Sequence, residues 1–239
     1  MARLAEPSPL KLVTEARVVL EYVGLRAALP RLRREVPRGD GSPVLVVPGF
    51  ATDDSWTATL RGFLSDVGWR VRGWGLGRNG GKLATLLPLL TARVEELSLS
   101  AGAPVRLVGW SLGGYLAREV ARERPEIVER VVTLGSPVVG GPKYTASARG
   151  YRRRGYDVDA IERQVRQREE TPLRVRVAAV YSRSDGVVAW RACLDLVNDT
   201  VEHHEVDASH LGLIFSAASY RLVAGLLARP RAGQRTRAA

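Results

Sequence analysis

The stretch VGWSLGG, residues 108–114, decides how this chain is read. An apolar run ends at Gly109, a helical pattern begins at Leu112, and Ser111 stands between them. A strand that turns into a helix this abruptly forces its central residue into a strained backbone conformation, and side chains two positions to either side would collide. Glycine at 109 and 113 removes both collisions. The same strain lifts the Ser111 hydroxyl above the strand end, toward the positive N-terminus of the next helix. A turn that needed only flexibility would not place serine at its most strained point. Ser111 is the candidate nucleophile.

Working outward, β-branched apolar runs recur at 44–47, 71–74, 105–108, 131–134, 175–181 and 201–206. Most are apolar almost throughout, as strands covered on both faces are. Helical patterns separate them. Asp53 or Asp54 caps a helix through Val67, a second covers 83–99 with an interruption expected at Pro88, and a third covers 112–124 and ends at Pro125. This alternation predicts an α/β fold with a doubly wound, mostly parallel sheet of about six strands. The 239 residues, 45% of them hydrophobic, suffice for one such domain, assigned to 41–229. An amphipathic helix is expected within 1–40 and a disordered tail at 230–239, which lacks apolar residues to bury. On the N-terminal helix Leu12, Ala16, Val19, Leu20, Val23 and Ala27 share one side, which is expected to dock on the domain. Peripheral membrane contact is the less favoured reading, because Glu15 and Glu21 dilute the basic character an interfacial helix needs.

The formal net charge of +11 raises the question of nucleic acid. Its arginines are spread along the chain, lysine occurs only at 11, 82 and 143, and no basic cluster is interleaved with aromatics; RRRG at 152–155 is the densest run. No nucleic-acid partner is expected. Charged residues break every apolar run before it reaches signal-peptide or membrane-span length, so a soluble, cytoplasmic chain is expected. Cys193 stands alone, without disulfide partner or zinc spacing, and is expected to be a small buried residue. GLGRNG at 75–80 matches G-x-G-x-x-G but lacks the acidic residue that would hold a ribose; Leu76 and Leu83 stand where a phosphate loop needs glycine and Ser or Thr. It is expected to border a cleft. No cofactor and no metal are expected.

A serine hydroxyl needs a base, and the base needs an acid to fix its tautomer. The histidines are His203, His204 and His210. The first two lie within the last strand, one facing inward and one outward, whereas His210 follows it in the loop DASHLGL, where a base at the sheet edge would reach Ser111. Asp185, in YSRSDGVV, follows the preceding strand at the same carboxyl edge, where ligands and catalytic groups collect. Asp207 lies too near His210 along the chain to orient its ring, and Asp195 and Asp199 fall beyond the loop.

The order Ser111, Asp185, His210, each after a strand, resembles the α/β-hydrolase fold superfamily, and specifically its serine esterase and lipase-like members, over 44–227. The resemblance implies an oxyanion hole made by the backbone N–H groups of Phe50, in PGF at 48–50, and Leu112; Pro48 stands where that family often has histidine. LGSP at 134–137 is similar to a segment of lipase-like members. Residues 138–171, with Tyr144, Tyr151, Tyr156 and an expected helix over 157–170, fall where the family inserts a cap. The N-terminal helix stands in place of the family's first antiparallel strands, a reduced version of the fold. A small-molecule acyl ester substrate, cleaved through an acyl-enzyme, is what the resemblance implies. Thioester hydrolysis or acyl transfer by the same three residues is the alternative, and a non-catalytic binding protein a third.

Overall fold

In the computed structural model, which describes residues 4–230, each expected apolar run is a strand: β1 (Pro43–Val47), β2 (Arg70–Gly73), β3 (Val105–Trp110), β4 (Val128–Leu134), β5 (Arg176–Tyr181) and β6 (Val201–Glu205). They form one sheet in the order β2-β1-β3-β4-β5-β6, and every pairing is parallel. Parallel neighbours need crossovers, and helices supply them. A 3-10 helix (Pro9–Arg17) runs into α1 (Val18–Glu35); α2 (Asp54–Asp66), α3 (Leu83–Ala101) and α4 (Leu112–Glu123) link the early strands. α5 (Ala148–Arg153) and α6 (Val158–Arg168) lie between β4 and β5, and α7 (Gly212–Phe215) and α8 (Ala217–Leu227) close the chain. Asp53 caps α2 as expected, accepting from the Ser55 N–H at 2.9 Å.

The side-chain alternation of the strands splits the core in two. Val44, Val46, Val108 and Trp110 pack with Leu29, Phe63, Tyr220 and Val223 on the face covered by α1, α2 and α8. Leu45, Val47, Leu107 and Val131 pack with Leu90, Val94, Leu116 and Val120 on the face covered by α3 and α4. The chain leaves β1 toward β2 and returns to β3 on the other side, so the strand order reverses between β1 and β3. In such sheets ligands bind outside the carboxyl ends of the strands at the reversal. Those ends carry Pro48–Phe50 and Ser111.

Three expectations are corrected. α3 runs unbroken through Pro88, which forfeits one backbone hydrogen bond without ending the helix. The cap helix is α6, shorter than 157–170, with Asp157 outside it as its cap, accepting from the Asp159 and Ala160 N–H groups. The N-terminal helix docks through a different face. Leu25, Leu29 and Leu32 are buried, while Leu12, Ala16, Val19, Leu20, Val23 and Ala27 are exposed, Leu20 to 76% and Val19 to 65%. The reason lies in the acids: Glu15 and Glu21 point inward, to the backbone N–H groups of Gly186 and Ser209, and turn the apolar stripe outward. Of the tail expected at 230–239, only Pro230 falls within the described residues.

Candidate active site

Ser111 caps α4 with φ 54° and ψ −124°, and only one other described non-glycine residue, Ala51, has a positive φ. L-residues avoid this region because Cβ crowds the backbone. The turn is closed tightly enough that a Cβ at Gly113 would strike the Val47 and Pro48 carbonyls, and one at Gly109 would strike Gly114. The glycine spacing read from the sequence is thus a spacing of contacts. The Ser111 N–H is held by the Leu134 carbonyl at 2.7 Å, which ties the turn to the end of β4.

Asp185 and His210 meet at the same edge. Nδ1 of His210 lies 2.7 Å from Oδ2 of Asp185, with both side chains buried. The other oxygen of Asp185 accepts the N–H groups of Val187 at 2.8 Å and Val188 at 2.7 Å, so the carboxylate cannot rotate away. Burial opposes an imidazolium at His210, but the charge and hydrogen bond of Asp185, with the charge of Glu15, outweigh it and raise the pKa above its ordinary value. No hydrogen bond joins His210 to Ser111 among the described residues. Their link is positional: Trp110, next to Ser111, donates Nε1 to the His210 carbonyl at 3.1 Å and sets its ring 5.5 Å from the imidazole. The other histidines stand apart. His203 accepts from the Asp195 N–H at 3.1 Å, and His204 faces Glu202. Cys193 is buried, which pushes its thiol pKa well up.

The segment after β1 supplies donors. The N–H groups of Ala51 and Thr52 bond to the carbonyls of Asn79 and Gly49, at 2.8 and 3.3 Å. Those of Phe50 and of Leu112, the first residue of α4, have no protein acceptor among the described residues. Both flank the Ser111 turn, Phe50 in the segment after β1 and Leu112 directly after Ser111.

No family model matches the sequence. A pimeloyl-[acyl-carrier protein] methyl ester esterase of Klebsiella pneumoniae is 45% identical over 64 residues, 26% of this chain and 23% of that protein, so the match spans under a quarter of the relative's length. Among solved structures, lipase BlEst2 of Bacillus licheniformis superposes with a TM-score of 0.62 at 16% identity, covering 81% of this chain and 94% of that one. Lipase B of Aspergillus fumigatus gives 0.60 at 17% identity over 85% of this chain and 58% of that one. A thioesterase domain from the curacin biosynthetic pathway gives 0.55 at 14% identity over 80% and 93%. This chain has the α/β-hydrolase fold.

Several features of the site carry no signal in the sequence pattern. Glu15, on the N-terminal 3-10 helix, is buried and accepts three backbone N–H groups: Gly186 at 2.8 Å, His210 at 2.9 Å and Leu211 at 3.0 Å. It therefore bridges the loop of the acid and the loop of the histidine. Glu21 holds the N–H and hydroxyl of Ser209, at 2.8 and 2.5 Å. No sequence spacing announces partners more than 170 positions away. Two motifs gain a physical role. In GLGRNG, buried Asn79 donates to the Pro48 carbonyl at 2.9 Å and Arg78 to that of Ala51 at 2.8 Å, so the loop braces the Phe50 segment. In LGSP, Gly135 has φ 58°, and a Cβ there would meet His210 Nδ1 at 3.1 Å and Asp185 Oδ2 at 3.2 Å.

The segment 138–171, expected as a cap, reaches the Phe50 segment. Tyr151 of α5 packs on Phe50 with ring centroids 5.6 Å apart. Its base is fixed to the acid loop by the Thr145–Val188 bridge and an Ala146 N–H to Val187 carbonyl bond of 2.7 Å. At the far end, Glu169 receives Arg118 at 2.6 Å and Arg122 at 3.0 Å, and Arg118 also reaches Asp195. Both ends are thus anchored to the main domain. Among the described residues no group of three or more His, Cys, Asp or Glu could hold a metal ion, and no helix is long and apolar enough to cross a membrane.

Proposed function

We propose that this hydrolase cleaves carboxylic esters through a Ser111 acyl-enzyme. The observation that carries the reading is Ser111 held at positive φ where the strand order reverses, beside a buried His210–Asp185 pair. Serine is a poor nucleophile unless its proton is taken as it attacks. His210 Nε2 accepts that proton while Nδ1–H donates to Asp185, whose two backbone bonds keep the imidazolium partner in place. The tetrahedral oxyanion sits between the Phe50 and Leu112 N–H groups, each such donor contributing about 3 kcal/mol in the transition state. His210 then protonates the leaving alcohol, and a water molecule, losing its proton to His210, releases the acid and restores Ser111. Catalytic hydrogen bonds often tighten only with substrate, so the open Ser111–His210 contact is compatible with this cycle. The partial match to a methyl ester esterase and the lipase-like neighbours support esters as the substrate class.

A fluorophosphonate probe tests the reading directly: labelling is expected at Ser111 and lost in Ser111→Ala. A panel of p-nitrophenyl esters against acyl-CoA thioesters then fixes the leaving group. Preference for thioesters would replace the ester reading with the thioesterase one, and absence of labelling would remove the catalytic reading altogether.

A further inference from the structure

The apolar stripe of the N-terminal helix faces outward, and exposed arginines stand at its margins. Leu10, Val13, Val19, Leu20 and Val23 are each at least 60% exposed. They continue one another from the 3-10 helix into α1, far beyond the singly scattered apolar residues that a surface ordinarily carries. The acids that would dilute the charge point away from this face: Glu15 and Glu21 are bound inward at the His210 loop. Glu35 is held by Arg31 and by Arg221. Arg26 and Arg34 flank the stripe, exposed and without an acidic partner among the described residues. An amphipathic helix with an apolar outer face and free arginines at its margins has the pattern of a segment that lies in a membrane interface.

We infer that the outer face of residues 10–34 docks on an anionic lipid surface. Charge favours this occupant over a second copy, because self-association would bring together two faces that each carry Arg26 and Arg34 without acidic partners, on chains of net charge +11 each. An anionic headgroup layer instead pairs with both while the acyl region takes up Leu20 and Val23. The face also reaches the catalytic edge. Lys11 donates to the Arg183 carbonyl at 3.2 Å and Thr14 to that of Ser184 at 3.4 Å, so Leu10 and Val13 project beside the loop that carries Asp185. Docking there brings the site to the lipid boundary. The inference stands on surface chemistry and is independent of the ester reading.

Flotation of the full chain with phosphatidylglycerol vesicles and with phosphatidylcholine vesicles tests it, at an ionic strength of about 0.1 M, where screening beyond ~10 Å is strong. Binding to the anionic vesicles is expected to be at least about tenfold the stronger, with roughly fivefold lost for each arginine removed in Arg26→Gln and Arg34→Gln. Leu20→Asp with Val23→Asp should lower binding more than about tenfold on both vesicle types. Circular dichroism melting verifies that each variant is folded. Absence of binding to phosphatidylglycerol, or binding untouched by all four substitutions, would overturn the inference. So would a dimer in sedimentation velocity that Leu20→Asp dissolves while wild type ignores vesicles, which would assign the face to a second copy. Because binding is read without turnover, a failure to label Ser111 leaves this result unaffected.

Discussion

Glu15→Gln changes one atom type and one charge, yet it addresses both the loop of Asp185 and the loop of His210. One Glu15 oxygen accepts from Gly186 at 2.8 Å and His210 at 2.9 Å, and the other from Leu211 at 3.0 Å. An amide offers a single oxygen, so in either orientation at least one buried N–H faces an NH2 group. A stranded buried donor costs about 1–3 kcal/mol, and the remaining bonds lose the roughly twofold strength that charge assistance gives. The expected loss is about 2–4 kcal/mol, which for a chain of this size lowers Tm by roughly 5–15 °C. The pH profile separates a catalytic consequence from mere destabilisation. Glu15 is one of the charges that raise the His210 pKa. His210 must be neutral to accept the Ser111 proton, so activity grows as pH rises through that raised value. Without the Glu15 charge, the acid limb of kcat/KM for a p-nitrophenyl ester moves to lower pH. Glu15→Asp keeps the charge but shortens the reach, so it should lower kcat by about tenfold or more through misplacement while its limb moves less. A Glu15→Gln enzyme with unchanged Tm and an unmoved limb would refute the role assigned to this carboxylate.

The turn itself invites a second measurement. Ser111→Ala keeps the strained φ and should lose about a millionfold in kcat with little change in Tm, whereas Ser111→Gly should lose activity equally and gain roughly 1–3 kcal/mol of stability by relieving the strain. Equal melting temperatures for the two variants would show that the turn is not strained. Gly135→Ala places a Cβ at φ 58°, 2.6 Å from a Leu213 methyl and within 3.2 Å of His210 and Asp185; a fall in both Tm and turnover is expected, and wild-type kinetics would contradict the packing around the pair. His203→Ala and His204→Ala should retain turnover, since neither ring approaches the pair, and His210→Ala should not. Loss of activity in His203→Ala with an intact fold would reopen the choice of base.

How far the sequence was legible follows from the range of the forces involved. Ser111, Asp185 and His210 could be singled out as candidates because each follows a strand, and strand ends are marked by local periodicity and by glycine or aspartate in the turn. The parallel sheet also followed from local pattern, since strands that alternate with helices pair in parallel; the strand order came only with the structure. The brace from Asn79 to Pro48 was not legible: GLGRNG carries the letters of a dinucleotide-binding turn, and only the contact between two loops 31 positions apart gives Asn79 its partner. The continuity of α3 through Pro88 was misjudged because the loss of one hydrogen bond is small against the burial of Leu86, Leu87, Leu90 and Val94 on the sheet.

The N-terminal helix shows most clearly why amphipathicity gives a face but not its direction. Six apolar residues at helical spacing predict burial of that side, because burying apolar area is ordinarily the largest gain available. Here Leu25, Leu29 and Leu32 already fill the contact with the domain, and Glu15 and Glu21 gain charge-assisted bonds to loop N–H groups that would otherwise be stranded beside Asp185 and His210. Burying the stripe instead would turn Glu21 toward solvent and leave the loop N–H groups of Gly186, Ser209 and His210 without these acceptors. The orientation is therefore set by the polar side of the helix, and the apolar side is left exposed as its consequence. This coupling also constrains how the segment evolves or is engineered: trimming the helix to remove its exposed leucines and valines removes Glu15 with them, so only substitutions on the outer face leave the His210 and Asp185 loops in place.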